Sequence, residues 1–298
     1  MEQKQFLDLT TAEEAEHLFR QAINPKPLGE EEVTLESSLN RVLSRDVIAS
    51  LNVPFFDRSN FDGYAVKAAD TFGAEETAPI HLKTNSEVLA SGVTPTEEVT
   101  PGTATEIATG GVIPRGADAI LMVEYTQPEA DGISVLRSVV PGEGISFAGS
   151  DIGSDEIILR KGERLSSRET GTIAAIGMSS VWVWKRPRVA VISTGDELIR
   201  PGDSMEIGKV YDSNSEVVSH ALEEIGCVPV RFDIVPDDEQ MLIDILNQAI
   251  QFDFIILSGG TSKGAGDLNY HAVEKIGNPG IIVHVWPLNP GNLFVWHH

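Results

Sequence analysis

The sequence predicts a multidomain protein of α/β plus β class, with a doubly wound parallel sheet in its C-terminal half and a small β domain before it. Three observations carry this prediction. Residues 189–192 and 254–257 are short apolar runs of the buried-strand kind and 228–235 also reads as a strand, the three being separated by helical patterns at 216–225 and 239–250. Strand–helix alternation with short loops requires right-handed crossovers and a parallel sheet. Between Pro54 and Gly149 the pattern changes to short β-type runs broken by Gly and Pro, and 298 residues exceed what one core usually holds, roughly 250.

The elements follow in order. Thr11 and Glu14 have capping-box spacing, and Ala15, Leu18, Phe19 and Ala22 recur with helical period until Pro25 and Pro27, so a short amphipathic helix opens the chain. Residues 33–48 lack a clean period; a helical turn or two is expected at 35–42. Strands are expected at 80–82, 106–108, 119–123 and 133–136. Residues 167–177 read as a helix capped by Ser166 or Ser167 and closed by Gly177, leading into a strand at 181–184. Arg186-Pro187-Arg188 then marks a domain boundary. In the first crossover helix, Val217, Val218, Ala221, Leu222 and Ile225 share three-to-four-residue spacing.

Composition narrows the function. Lys and Arg total 22 against 45 Asp and Glu, a formal charge of -23, which repels nucleic-acid backbones and anionic membranes; neither is an expected partner. Cys227 is the single cysteine, so an intrachain disulfide and a cysteine-cluster metal site are excluded, and it is expected to pack as a small hydrophobe. Residues 1–9 lack a basic region before an apolar core, and no window approaches the roughly 18 apolar residues of a membrane span. The chain reads as soluble and cytoplasmic.

Two loops point to a ligand. Ser193-Thr194-Gly195-Asp196-Glu197-Leu198 and Ser258-Gly259-Gly260-Thr261-Ser262-Lys263-Gly264 each follow a predicted parallel strand. In open α/β sheets ligands bind outside the carboxyl ends of the strands, where backbone N–H groups and helix N-termini face an anion. A phosphate-bearing ligand is expected. Asp196, Glu197, Asp237, Asp238 and Asp267 fall on the same rim in this winding, and such carboxylates beside phosphate suit Mg2+. Asp237 and Asp238 have an alternative role as helix caps, whereas function is favoured for Glu197 and Asp267. The spacing at 258–264 is not that of a Walker loop, a tight strand-to-helix turn accounts for it equally, and Lys263 is either a phosphate ligand or solvated. The stretch 54–66, with two acids, an arginine and four aromatics, suggests a built site; its alternative is a packed domain junction with Asp62-Gly63 as a turn.

Ser59-Asn60-Phe61-Asp62-Gly63-Tyr64-Ala65 resembles the Ser-x-x-Asp-Gly-Tyr-Ala signature of the molybdopterin molybdenumtransferases, the family that includes the gephyrin E domain. Thr109-Gly110-Gly111, the loop at 193–198, Tyr211-Asp212-Ser213-Asn214, Pro236-Asp237-Asp238 and residues 258–267 fall in that family's order, and the resemblance runs to His284. Residues 258–264 are also similar to the related molybdopterin adenylyltransferases. The resemblance implies an elongated N-terminal linker domain of 1–53 and 145–185, an inserted β domain of 54–144, and a molybdopterin-binding α/β domain of 186–298, incomplete at its C-terminus. It implies insertion of molybdate into adenylylated molybdopterin with release of AMP, Mg2+ as cofactor, a homodimer with an active site spanning subunits, and molybdopterin adenylyltransferase as a further partner. Carried over by motif, Asp62, Glu197 and Asp267 are the catalytic candidates. Thr109 lines the cleft with Asp62. Ser193, Thr194 and Gly195 join Ser258, Gly259, Gly260, Thr261, Ser262 and Lys263 as ligand-binding candidates, and Glu197, Asp237, Asp238 and Asp267 are the metal candidates.

The resemblance stops at Val285-Trp286-Pro287-Leu288-Asn289-Pro290-Gly291-Asn292, where the family has a Pro-Gly-Lys-Pro loop. One added base in a permissible coding sequence after His284 restores Gly-Val-Ala-Leu-Lys-Pro-Gly-Lys-Pro, so a frameshift is expected there. With asparagines at 289 and 292, weakened anion binding and an exposed apolar sheet surface are expected. Two competing functions remain open: a catalytically impaired molybdopterin-binding or scaffold protein, and a generic nucleotide-binding α/β protein that binds ATP and ignores molybdate.

Overall fold

The computed structural model describes residues 11–23, 25–259, 265–277 and 294–296. The chain divides into two compact units, one of Val33–Val181 and one of Met1–Glu32 with Trp182–His298.

The unit Val33–Val181 is built on a six-stranded sheet of β1 (Gly63–Val66), β2 (Ile80–Leu89), β3 (Thr103–Ile107), β4 (Ala119–Met122), β5 (Thr126–Pro128) and β6 (Gly132–Val135), in the order β4-β1-β3-β2-β6-β5. All neighbours are antiparallel except β2 and β3, whose register shifts between Thr84 and Val88. Strand alternation gives the sheet two apolar faces. Val66, Leu82, Ala104, Leu121 and Ile133 bury on one, and Ala65, Leu89, Ile107 and Ile120 on the other. Gly63 is the first residue of β1 rather than part of a turn. A Cβ there would lie 2.0 Å from the Leu121 carbonyl oxygen, so the neighbouring strand demands glycine. Instead of one or two helical turns at 35–42, only a 3-10 turn, Leu35–Ser37, forms, as the lack of helical period explains. Helix α2 (Ser167–Ala175) begins in the full capping box of Ser166 and Glu169, whose carboxylate accepts the Ser166 N–H at 2.8 Å.

In the other unit, α1 (Ala12–Ile23) starts where the Thr11 hydroxyl accepts the Glu14 N–H at 3.3 Å. Its sheet contains β7 (Arg188–Thr194), β8 (Val228–Arg231), β9 (Phe254–Gly259) and β10 (Phe294–Trp296), in the order β8-β7-β9-β10. The first three are parallel and β10 is antiparallel. The chain steps from β7 outward to β8 through α3 (Asn214–Glu224), then returns through α4 (Glu239–Ala249) to β9 on the opposite side of β7. With right-handed crossovers this reversal puts the two helices on opposite faces. Val189 and Val191 pack with Val218, Leu222 and Cys227 on one face, while Ala190, Ile192 and Ile255 pack with Leu242, Leu246 and Ala249 on the other, joined by Ala272 of α5 (Ala265–Ile276). Cys227 is thus a packing residue, and burial pushes its thiol pKa up.

Two expectations shift. The strand predicted to reach Val235 ends at Arg231, because pairing with β7 lapses and resumes only at a single Thr194–Val235 bridge. The apolar set of α3 is only partly inward: Val218 and Leu222 pack, whereas Val217 and Ile225 are 67% and 76% exposed. Among the described residues no helix is long and apolar enough to cross a membrane.

Leu242 is fully buried at the centre of the larger apolar face. Leu242→Ala is expected to destabilise this unit by about 2–5 kcal/mol, read as a lowered denaturation midpoint. An unchanged midpoint would contradict the packing.

Candidate functional site

The reversal of winding opens a crevice between the carboxyl ends of β7 and β9, the place where open α/β sheets take ligands. Thr194 and Gly259 are paired there in parallel register. Gly259 has φ +142, and a Cβ on it would lie 2.1 Å from the Thr194 carbonyl oxygen and 2.4 Å from its Oγ1. Gly195, at φ +150, would put a Cβ 2.6 Å from Glu197 Oε2. Both positions need glycine for their positive φ, and Gly259 also for the close approach of the Thr194 backbone. The Gly195 N–H donates to the Val235 carbonyl at 3.1 Å, fixing the loop to the segment that follows β8.

Buried polar atoms gather at this end of the sheet. Among the described residues, Ser193 Oγ, Thr194 Oγ1 and Asn269 Oδ1 are buried and lack a hydrogen-bond partner. Asn269, on α5, donates its Nδ2 to the Gly259 carbonyl at 3.0 Å. Unmatched buried polar groups are costly, and clustering at a strand end marks a place organised for something other than packing.

The rim is acidic. Asp196 and Glu197 are exposed in the loop after β7, and Asp196 Oδ1 accepts the Asp237 N–H at 3.2 Å. Asp238 is the N-cap of α4, its Oδ1 accepting the Met241 N–H at 2.8 Å, which fits its alternative role. Leu198–Ile199 and Val210–Tyr211 form a short parallel pair that brings the chain back to this loop. Beyond it, buried Asp212 accepts the Ser215 N–H at 3.1 Å, and Asn214 Nδ2 donates to Ser258 Oγ at 3.1 Å. Lys209 Nζ donates to the Asp196 carbonyl at 2.6 Å. Among the described residues no group of three or more His, Cys, Asp or Glu is placed to hold a metal ion. One or two carboxylates completed by substrate phosphate and water is nonetheless a donor set Mg2+ uses, and the exposed Glu197 and Asp237 have that chemistry. Asp267 lies in the first turn of α5, with its side chain outside the described residues; Gly260, Thr261, Ser262 and Lys263 lie outside them altogether, as do residues 285–293.

The second cluster belongs to the β-sheet unit. Asp62 Oδ1 accepts both the Thr109 N–H at 2.7 Å and the Thr109 hydroxyl at 2.8 Å. These two bonds, the backbone one first, hold the Asp62 pKa below the ordinary carboxylate value. The flanking backbones lock together as well: Gly110 N–H donates to the Ser59 carbonyl at 2.8 Å and Ser59 N–H to the Gly111 carbonyl at 2.9 Å. Phe55, Phe56 and Phe61 are exposed, so the aromatic segment is not a packed junction within this unit.

These two clusters fall in two separately recognisable segments. A family profile described as "MoeA N-terminal region (domain I and II)" matches residues 10–177, more than half of the chain, and one described as "Probable molybdopterin binding domain" matches residues 190–294. The chain belongs to the MoeA family. It is 35% identical over 271 residues to the molybdopterin molybdenumtransferase of Bacillus subtilis, covering 89% of this chain and 63% of that one. To molybdopterin molybdenumtransferase 2 of Mycobacterium tuberculosis it is 37% identical over 234 residues, covering 78% of this chain and 58% of that one. The chain therefore spans less than two thirds of the length of these curated relatives. The crystal structure of a molybdopterin biosynthesis MoeA protein from Pyrococcus horikoshii is similar with a TM-score of 0.83 and 31% identity, over 97% of this chain and 72% of that one. The fold is thus MoeA-like, with mixed α/β structure.

Within the MoeA-type fold, sequence reading found the glycine loops and the Asp62–Thr109 pair, but not the parts played by Asn214, Lys209 and Asn269. Asn214 closes a motif already noted. Lys209 and Asn269 carry no local signal, since chain segments distant in sequence supply their partners.

Because its folded pKa is lowered, the Asp62 contribution to stability is present above its unfolded value and is lost as pH falls through the folded one. Thr109→Val removes one of the two donors; the Asp62 titration, followed by carboxyl NMR, is expected to move part of the way up toward 3.8. No movement would contradict the clamp.

Proposed function

We propose that this chain is a molybdopterin molybdenumtransferase of molybdenum cofactor biosynthesis, inserting molybdate into adenylylated molybdopterin with release of AMP. The observation that carries the reading is the switch-point crevice. Gly259 lets the Thr194 backbone come close, buried hydroxyls of Ser193 and Thr194 lack partners, and the segment matches the molybdopterin-binding profile. The activity named for the Bacillus subtilis and Mycobacterium tuberculosis relatives supports the same reaction.

In this proposal Ser193, Thr194 and Gly195, with residues 258–263, hold the pterin phosphate through hydroxyl and backbone donors. Glu197, Asp237 and Asp267 hold Mg2+; Asp238 stays the cap of α4, where its Oδ1 is engaged. When bound, the ion supplies electrostatic stabilisation of charge developing on the adenylyl phosphate. In the β-sheet unit Asp62, kept ionised by Thr109, is a charged acceptor for an N–H or O–H donor. The proposal includes a homodimer, supply of substrate by a molybdopterin adenylyltransferase, a cytoplasmic setting, and the domain arrangement of 1–53 with 145–185, 54–144 and 186–298.

The test is AMP release from adenylylated molybdopterin with molybdate and Mg2+. Molybdate-dependent release is expected, and Glu197→Gln is expected to lower kcat by about 10²-fold, the scale for losing one electrostatic stabiliser. Pterin bound without AMP release would favour the scaffold reading, and ATP bound without response to molybdate the generic one.

A further inference from the structure

The rim of the crevice poses an electrostatic problem. Asp196, Glu197 and Asp237 are all exposed there, yet the substrates of the proposed reaction are oxyanions, a phosphate group and molybdate. One divalent cation does not balance three carboxylates and two anions, so a fixed positive charge is needed.

Lys209 has that position. Val210 N–H donates to the Glu197 carbonyl at 2.8 Å and Asp212 N–H to the Ile199 carbonyl at 2.9 Å, so the returning strand lays Lys209 directly across the Asp196–Glu197 turn. Every residue of the excursion from Pro201 to Gly208 is exposed, but Lys209 is half-buried. Its Nζ bonds the Asp196 carbonyl, and among the described residues it forms no ion pair although acids line the same loop. An ammonium carries three donors, and the Asp196 carbonyl takes one. A lysine anchored through a neutral carbonyl keeps its charge for a ligand; one paired with a carboxylate does not.

We propose that Lys209 positions a tetrahedral oxyanion of the substrate at this crevice. The inference rests on the proposed function and names a residue for it. The oxyanion is either free molybdate or the phosphate of the adenylylated pterin, and separate measurements tell the two apart.

The experiment compares the full chain with Lys209→Gln, which keeps a donor for the Asp196 carbonyl but loses the charge, and Lys209→Arg, which keeps the charge. Binding of molybdate alone and of AMP alone is measured by calorimetry at low and high salt, and KM is measured separately for molybdate and for adenylylated molybdopterin. Lys209→Gln is expected to weaken one of the two oxyanions by about tenfold or more, the scale of one charge-assisted hydrogen bond. The loss should be largest at low salt, with unchanged melting temperature, and Lys209→Arg should retain binding. A rise in the molybdate terms assigns the site to molybdate; a rise in the AMP and pterin terms assigns it to the phosphate. Unaltered binding and KM in Lys209→Gln overturns the inference, as does an equal loss in both variants with a lowered melting temperature, which would make Lys209 a pin for the loop. Charge-dependent oxyanion binding without AMP release by the unmodified chain would leave Lys209 in place and remove the transferase reading. AMP release by the unmodified chain, with binding and KM unaltered in Lys209→Gln, would do the reverse.

Discussion

Thr194 and Gly259 face one another where β7 and β9 end, and no side chain fits between them: a Cβ on Gly259 would lie 2.1 Å from the Thr194 carbonyl oxygen. This contact sets how the two loops leave the sheet. Because β8 and β9 lie on opposite sides of β7, the winding reverses at this point, where open α/β sheets take their ligands. The glycine at 195 turns the first loop toward Glu197, and Asn269 secures the second by bonding the Gly259 carbonyl. Hydroxyls that the strand buries at its end then have no partner within the protein. A packing constraint between two backbones thereby becomes a polar site.

A similar economy holds in the β-sheet unit. Gly63 begins β1 because the Leu121 backbone leaves no space for a side chain, and Gly111 is confined by the Leu89 carbonyl, 2.6 Å from where its Cβ would be. Those two glycines let the Ser59–Gly63 and Thr109–Gly111 segments approach until Asp62 and Thr109 share two hydrogen bonds. The exposed carboxylate is fixed in direction and held ionised, which is what an orienting acceptor requires.

Much of this was legible in the residues. Continuous apolar runs marked β7 and β9, because strands covered on both faces have no polar alternation, whereas β8 at the sheet edge alternates apolar with polar residues. Asp238 and Ser166 announced their helices through capping chemistry, and the glycine-rich ends of β7 and β9 announced the crevice. The remainder depended on tertiary context. Val217 and Ile225 share helical spacing with Val218 and Leu222 yet are exposed, since only one stripe of α3 meets the sheet. The strand after Cys227 ended early because its pairing with β7 lapses after Arg231 and resumes only at the single Thr194–Val235 bridge. Lys209 and Asn269 were silent for the same reason: each acts through a backbone carbonyl that folding brings to it.

The central claim is that the substrate's phosphate sits at the crevice formed by the ends of β7 and β9. A crystal structure of the chain with adenylylated molybdopterin tests it most directly. The account predicts phosphate oxygens within hydrogen-bond distance of the Ser193–Gly195 and Ser258–Gly259 segments, with the Ser193 or Thr194 hydroxyl newly paired. A ligand bound elsewhere, with those hydroxyls still unpartnered, would contradict it.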